Sequence, residues 1–321
     1  MLRRVLADSL FLHAITLANA RRPRRARLQL ALSSRLAPQS ASALYAAASA
    51  LERAGDRDSA VRYCEEALAL KPELAEAHEL LTGMFMQGEH YVQVLGRIHE
   101  HLKPGAYIEI GVAEGTSIGL VRPATLALGV DPEPKIAFAL PRNVRVFAET
   151  SDDFFARHDV RAELGGRPLE LAFIDGMHQF EYALRDFMNL ERLCLPGSTI
   201  LVHDCFPHDR RTAQRERETA FWSGDIWRLV LLLKKYRRDL SIHTIAAPPT
   251  GLLVIRKLDP SSDFIAGNLE DLCEEFMRLD YGILNKDRAG KLNLFPNDWN
   301  RIRALLDAPA AQLSAAARNI P

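Results

Sequence analysis

Apolar residues recur every three or four positions along the first hundred residues, and near Pro104 this gives way to short, nearly continuous apolar runs. The first spacing predicts amphipathic helices, and the second predicts strands buried on both faces. Within the helical part the pattern repeats: Ala26 and Ala60, Leu36 and Leu70, and Pro38 and Pro72 are each 34 residues apart. Beyond Pro104, strands are predicted over 106–111, 125–130, 144–147, 169–174 and 199–203, with a helical stretch at 118–121. A closing antiparallel pair is expected at 241–245 and 251–256, and amphipathic helices at 228–236 and 269–279.

The repeat has a physical logic. Gly55 falls in a turn, Ala60 and Ala67 are small enough to let two antiparallel helices approach closely, and Pro72 ends the second helix. This stretch resembles the second half of a tetratricopeptide repeat. The resemblance implies an all-α helical-repeat domain over 1–100, with one copy at 41–74, a diverged copy at 7–40, and a third that begins at Ala75 and loses its pattern after Gly88. A plain helical hairpin would give the same periodicity. So few repeats make a short solenoid, which predicts docking on the next domain, a protein partner or self-association through the repeats.

Charge and composition narrow the classes. The 321 residues carry 41 basic and 41 acidic side chains, with 48% hydrophobic and 26% charged residues, which excludes a disordered chain and leaves room for two domains. Zero net charge argues against a protein that coats nucleic acid. The zero conceals an asymmetry, since residues 1–40 hold eight arginines against Asp8 alone. Four separated cysteines, no CxxC and no secretory leader predict reduced thiols and a cytoplasmic location. No apolar run approaches the ~18 residues of a membrane span.

The chemistry lies at the strand ends. The turn Glu109-x-Gly111-x-x-x-Gly115-x-Ser117 follows the first strand and precedes a helical stretch, the arrangement that receives a nucleotide-like ligand. It is neither G-x-G-x-x-G nor a P-loop. Asp131 ends the second strand, where an acid can accept hydrogen bonds from ribose hydroxyls. Glu149, Ser151 and Asp152 follow the third strand, Asp175 the fourth and Asp204 the fifth. Acids on five consecutive strand ends predict a binding cleft along one sheet edge, although any single one would serve as a helix cap.

With these residues in order, the region 104–257 resembles a class I S-adenosylmethionine-dependent methyltransferase. Phe173-Ile-Asp-Gly-Met-His178, Asp186, Leu195-Pro-Gly197 and Val202-His-Asp204 are similar to one subset, the macrocin-type and catechol-type O-methyltransferases and the cephalosporin-hydroxylase-like proteins. The resemblance implies an α/β fold with a Rossmann-like seven-stranded sheet over 101–258, then a C-terminal helical extension over 259–321. It implies S-adenosyl-L-methionine as cofactor, with Glu109, Gly111, Gly115 and Ser117 at its methionine end, Asp131 at its ribose, and Ser151 and Asp152 also in the cofactor site. It implies O-methylation of a small-molecule or glycan hydroxyl.

Asp175 and Asp204 end adjacent strands and can face one point, as candidate ligands for Mg²⁺ or another divalent cation. His178, three positions after Asp175, stands where the catechol-type relatives carry a basic residue and is the candidate general base. The relatives often follow the second Asp with an amide; here stands Cys205, a poor ligand for Mg²⁺. A softer ion held with a histidine, or no ion, is also consistent. His203 is expected on the opposite strand face unless the strand ends there. The charged stretch 207–219 is a solvated loop or a lid with Arg210 or Arg211 meeting an anionic acceptor. A helical-repeat scaffold with a catalytically silent methyltransferase-like domain is the competing reading of the whole chain.

Overall fold

The computed structural model describes residues 2–309. The chain divides into two compact units, one built from residues up to Phe85 together with Arg217–Trp222, the other from Met86–Glu216 and from Ser223 onward.

The first unit is all helical: α1 (Leu2–Asn19), α2 (Pro23–Leu36), α3 (Ala41–Arg53), α4 (Arg57–Leu70) and α5 (Ala75–Phe85). α1 pairs with α2 and α3 with α4 as hairpins. Pro23 and Arg57 open, and Leu36 and Leu70 close, the second helices of the two hairpins, so the 34-residue spacing of the sequence is also the spacing of the elements. Gly55 takes a left-handed φ of 81° in the α3–α4 turn, as its place between two helices requires. Ala47, Ala50, Ala60 and Ala67 are wholly buried in the core, where a methyl group is all that the close helix approach admits. The excursion Arg217–Trp222 joins this unit: Phe221 stacks on His78 with ring centroids 5.1 Å apart, and the Ala220 N–H donates to Glu73 at 3.3 Å.

The second unit opens with α6 (Tyr91–Leu102) and is organised on one sheet. Its strands are β1 (Ala106–Ile110), β2 (Leu126–Val130), β3 (Val144–Phe147), β4 (Leu169–Ile174), β5 (Cys194–His203), β6 (Ser241–Ile245), β7 (Leu252–Arg256) and β8 (Leu294–Phe295). Between β3 and β4 lie α7 (Ser151–Arg157) and α8 (Val160–Glu163); α9 (Phe180–Glu191) joins β4 to β5, and α10 (Trp227–Tyr236) leads to β6. After β7 come α11 (Phe264–Gly267), α12 (Leu269–Met277), α13 (Arg288–Lys291) and, beyond β8, α14 (Trp299–Asp307).

The strand order is β3-β2-β1-β4-β5-β7-β6-β8, with β1 to β5 parallel and β7 antiparallel to both neighbours. This is a Rossmann-like sheet whose order reverses between β1 and β4, the place where such sheets bind ligands at their carboxyl edge. The sequence predicts seven strands and the structure has eight. β8 is two residues long, too short to carry a period, and pairs in parallel with β6. α6 supplies Val94, Leu95 and Ile98 to the same core as Ile302, Leu305 and Leu306 of α14, so the sheet claims both helices and the helical unit stops at Phe85. On α9, Glu191 accepts two hydrogen bonds of 2.8 Å from the buried Arg237 beyond α10, which locks the helix behind β4 and β5.

Enlarging Ala60 to Leu should overpack the helical core and cost about 1–3 kcal/mol. Urea unfolding of the full chain followed by far-UV circular dichroism measures this, and an unchanged midpoint would contradict the close packing described.

Candidate active site

The site is built where β1, β2 and β4 end together. Gly111 follows β1 with φ 88°, and its N–H donates to Val130 of β2 at 2.8 Å. A Cβ here would lie 2.1 Å from the Asp175 carbonyl oxygen, so only glycine lets β1 and β4 finish this close. The Asp175 N–H returns a 2.8 Å hydrogen bond to Ile110. Gly115 also takes a left-handed φ, 82°, and its N–H closes the turn onto Val112.

Glu109 lies wholly buried beneath this turn. Its carboxyl accepts from Tyr107 Oη and from Ser117 Oγ, both at 2.6 Å, and burial pushes its pKa up to about 8 against the pull of those two hydroxyls. Glu109 and Ser117 therefore brace the turn from inside. Asp131 does the same from the side: Oδ2 accepts from the N–H groups of Val112 and Ala113 at 2.9 and 2.8 Å, and Oδ1 accepts from Glu133 at 2.8 Å.

Ser151 and Asp152 open α7 and face α9. Asp152 receives two hydrogen bonds from Arg185, at 2.8 and 2.6 Å, while Ser151 bonds to Asp186. Burial drives the Asp186 carboxyl up to about 7, and one of its oxygens has no partner in the cavity it shares with Asp175, His178 and Asp204. Glu149 is spent on α7 itself, 2.7 Å from His158.

The ends of β4 and β5 bring four titratable groups together. Asp175 Oδ1 lies 3.6 Å from His178 Nε2 and 3.1 Å from His203 Nδ1, and Asp204 Oδ2 lies 3.2 Å from each of those nitrogens. Thr250 Oγ1 donates to the other Asp204 oxygen at 2.6 Å. Burial alone would strip the proton from His203, but the two carboxylates outweigh it and hold the imidazole protonated well above its usual range. Burial raises Asp204, and His203 and then His178 pull it below the ordinary carboxylate range.

His203 is the member of this group that sequence reasoning did not place in the site. Adjacent strand residues point to opposite faces. β5, however, ends at His203, and Asp204 takes a left-handed φ of 58°, which swings both side chains to the same point. The fully buried Cys205 thiol turns away instead, donating to the carbonyls of Val202 and His203, and burial raises its pKa strongly, so it stays protonated. Tyr91, at the start of α6, stacks on the His203 ring at 3.8 Å between centroids; no sequence signal marked it either.

His178 has its own support. Its φ is 55°, its carbonyl accepts from the Asp225 N–H at 3.1 Å, and the Asp225 carboxylate accepts from the Phe180 N–H at 2.7 Å. A Cβ on Gly224 would lie 1.8 Å from the His178 carbonyl oxygen, so the 224–225 segment clasps the loop that carries this histidine. Of the two arginines considered for an anionic acceptor, Arg210 makes a two-point ion pair with Asp280 at 2.6 and 2.8 Å.

Asp175, His178 and Asp204 each present one donor atom, and these atoms lie within 4.8 Å of one another. Bonds of ~2.1 Å would set donors on a single ion ~3 to ~4 Å apart, and the His178 distances of 3.6 and 3.2 Å to the two carboxylates fall within that span. Imidazole nitrogen beside carboxylate oxygen suits manganese, iron or zinc better than magnesium.

Glu109 gives a pH signature. Its pKa is raised by folding from 4.5 to about 8, so its contribution to stability is full below 4.5 and is lost as pH rises through about 8. Glu109→Gln removes that loss, and the variant should gain ~3 °C or more in Tm over the parent at pH 8 but not at pH 5. Equal Tm differences at both pH values in a thermal melt would refute the buried protonated carboxyl.

Residues 108–205 match the family model of a methyltransferase domain. No curated protein matches the chain. Among solved structures, a cofactor-bound protein from MTB is 17% identical over 58% of this chain and 90% of its own, with a TM-score of 0.40. The O-methyltransferase TomG from Streptomyces achromogenes, in complex with SAM, is 14% identical over 63% of this chain and 89% of its own, at a TM-score of 0.41. An O-methyltransferase from Bacillus cereus in complex with SAH is 14% identical over 60% of this chain and 95% of its own, at a TM-score of 0.37.

Proposed function

We propose that the chain is an S-adenosylmethionine-dependent methyltransferase that methylates a hydroxyl of a small molecule or glycan, with a helical unit of tetratricopeptide-like hairpins at its front. The observation that carries this reading is the convergence of Asp175, His178, His203 and Asp204 beside the Gly111 turn, at the carboxyl edge where the strand order reverses. The match of residues 108–205 to a methyltransferase domain supports it and weighs against a scaffold with a silent domain.

S-adenosylmethionine would supply an electrophilic methyl group, and a divalent cation would supply a charge that lowers the pKa of the acceptor hydroxyl. The chain's residues do the rest. Gly111 and Gly115 give the turn its left-handed backbone, and Glu109 and Ser117 hold it in shape for the methionine end. Asp131 spends three of its roughly four acceptor positions on backbone N–H groups, leaving one for a ribose hydroxyl. Ser151 and Asp152, tied to α9, close the far side of the cofactor site.

Asp175 and Asp204 would hold the cation, and His203, buried between them, keeps their carboxylates aimed. His178 is the more exposed histidine. In this reading His178 is not a ligand of the cation: its Nε2 is placed to take the acceptor proton as the oxygen–methyl bond forms and the sulfur–methyl bond breaks, and Asp204 at 3.2 Å would stabilise the resulting imidazolium. Alignment of the acceptor in this fixed frame supplies several kcal/mol of the barrier reduction.

Calorimetry with S-adenosylhomocysteine should give micromolar binding, weakened about tenfold or more by Asp131→Asn. Absence of heat from the parent protein would sink the reading. Manganese should raise the melting temperature of the parent, and Asp175→Asn with Asp204→Asn should abolish that rise. An equal rise in the double variant would show that the ion binds elsewhere.

A further inference from the structure

The outward face of α2 is built unlike a solvated helix. Its packed face carries Ala26, Leu30 and Ser33. On the opposite side, Leu28 is 68% exposed and Leu32 48% exposed. Arg24, Arg25 and Arg35 stand three or four positions from these leucines and are exposed as well, so all five side chains share one stripe. α2 contains no acid, and its N-terminus has neither a side-chain cap nor an acidic first turn to offset its dipole.

The stripe runs into the α1–α2 turn, where Arg21 has a left-handed φ of 55° and Arg22, like Arg21, is exposed. Other arginines of this unit do find acids: Arg4 pairs with Asp8, and Arg27 of α2 itself with Asp56, both at 3.1 Å. Among the described residues, Arg21, Arg22, Arg24 and Arg25 have no such partner. Four open guanidinium groups, each able to grip two phosphate oxygens, therefore border two leucines that project into solvent.

We propose that this face of α2, with the α1–α2 turn, docks on an anionic phospholipid surface. An in-plane interfacial helix needs an apolar stripe to enter the headgroup boundary and cations level with the phosphates, and α2 offers both. A second copy is disfavoured as the occupant, because a two-fold contact through this face would set arginine against arginine. An acidic peptide would account for the arginines but not for leucines that stand out instead of lining a groove. Nucleic acid would account for the arginines alone, and the stripe has no aromatic side chain on which a base could stack. Peripheral attachment also agrees with the helices themselves, since among the described residues none is long and apolar enough to cross a membrane.

The test is sedimentation of the full chain with vesicles of phosphatidylcholine alone or with about a third phosphatidylglycerol, at ~0.1 and ~0.5 M salt. The anionic vesicles should carry the protein down at low salt, and the neutral ones should not. Joint replacement of Arg21, Arg22, Arg24 and Arg25 by Gln should weaken binding at least tenfold, and Leu28→Ser with Leu32→Ser should weaken it severalfold, both with the parental melting temperature. Should the arginine variant fail to fold, the leucine variant and the salt series decide the matter. No binding to anionic vesicles, equal binding to neutral ones, or indifference to the leucine change would each overturn the proposal. Capture of polyuridylate or polyglutamate as tight as that of vesicles would also overturn it, in favour of nucleic acid or an acidic protein.

Discussion

Much of the second unit depends on one steric constraint, the absence of a side chain at Gly111. β1 and β4 end so near each other that a single Cβ would meet the Asp175 carbonyl at 2.1 Å. Because the position is bare, the backbone of the turn can bond to β2 while that of β4 bonds back to β1. Three strand ends become one hydrogen-bonded floor, and what stands on it is fixed in register. The Gly111–Gly115 turn on one side and the Asp175 cluster on the other are thus tied to one hydrogen-bonded floor, not two loops that happen to meet.

On that floor the acids divide into two kinds. Glu109 and Asp131 face inward or sideways and are consumed in holding the turn, the first so deeply buried that its carboxyl favours the protonated form at neutral pH. Asp175 and Asp204 meet at the ends of β4 and β5, where His203 holds the Asp204 carboxyl below the ordinary carboxylate range and is itself kept charged between the two acids. The low local dielectric strengthens both arrangements. It makes an unpaired buried carboxylate costly beneath the turn and makes the paired group above it strongly organised. Left-handed residues at His178 and Asp204 are what aim these side chains at one point, and the Gly224–Asp225 clasp holds the first of them in place.

The two units differ in how they use small residues. In the helical unit, alanines set the distance between helices, and the repeat of 34 residues is a repeat of that spacing. In the sheet unit, glycines admit backbone to backbone. The arginine surplus of residues 1–40 belongs to neither core, and on α2 it is interleaved with exposed leucines. The neutral total charge is therefore a sum over two surfaces with opposite tendencies.

Periodicity and spacing predicted the strands β1 to β7 in their chain order, with the helices α10 and α12 among them. Runs such as Leu169–Ile174 predicted buried strands, Ala60 and Ala67 predicted closely packed helices, and the acids after successive strands predicted one edge of a parallel sheet. Asp175 and Asp204 were legible for that reason, and His178 through the resemblance of its spacing to the catechol-type relatives. His203 and Tyr91 were not, and β8 was not. Where a strand stops decides which way its last residue points, and that is settled by a backbone turn at Asp204 and by packing against α6, which no local period records. A two-residue strand has no period at all; it pairs because α13 and α14 deliver it to the edge of β6. The sequence by itself decided which acids follow the parallel strands, since side-chain alternation and the residue after each apolar run are local properties. Tertiary structure alone decided which of them converge, because convergence depends on backbone reversals and on distances between segments far apart in the chain.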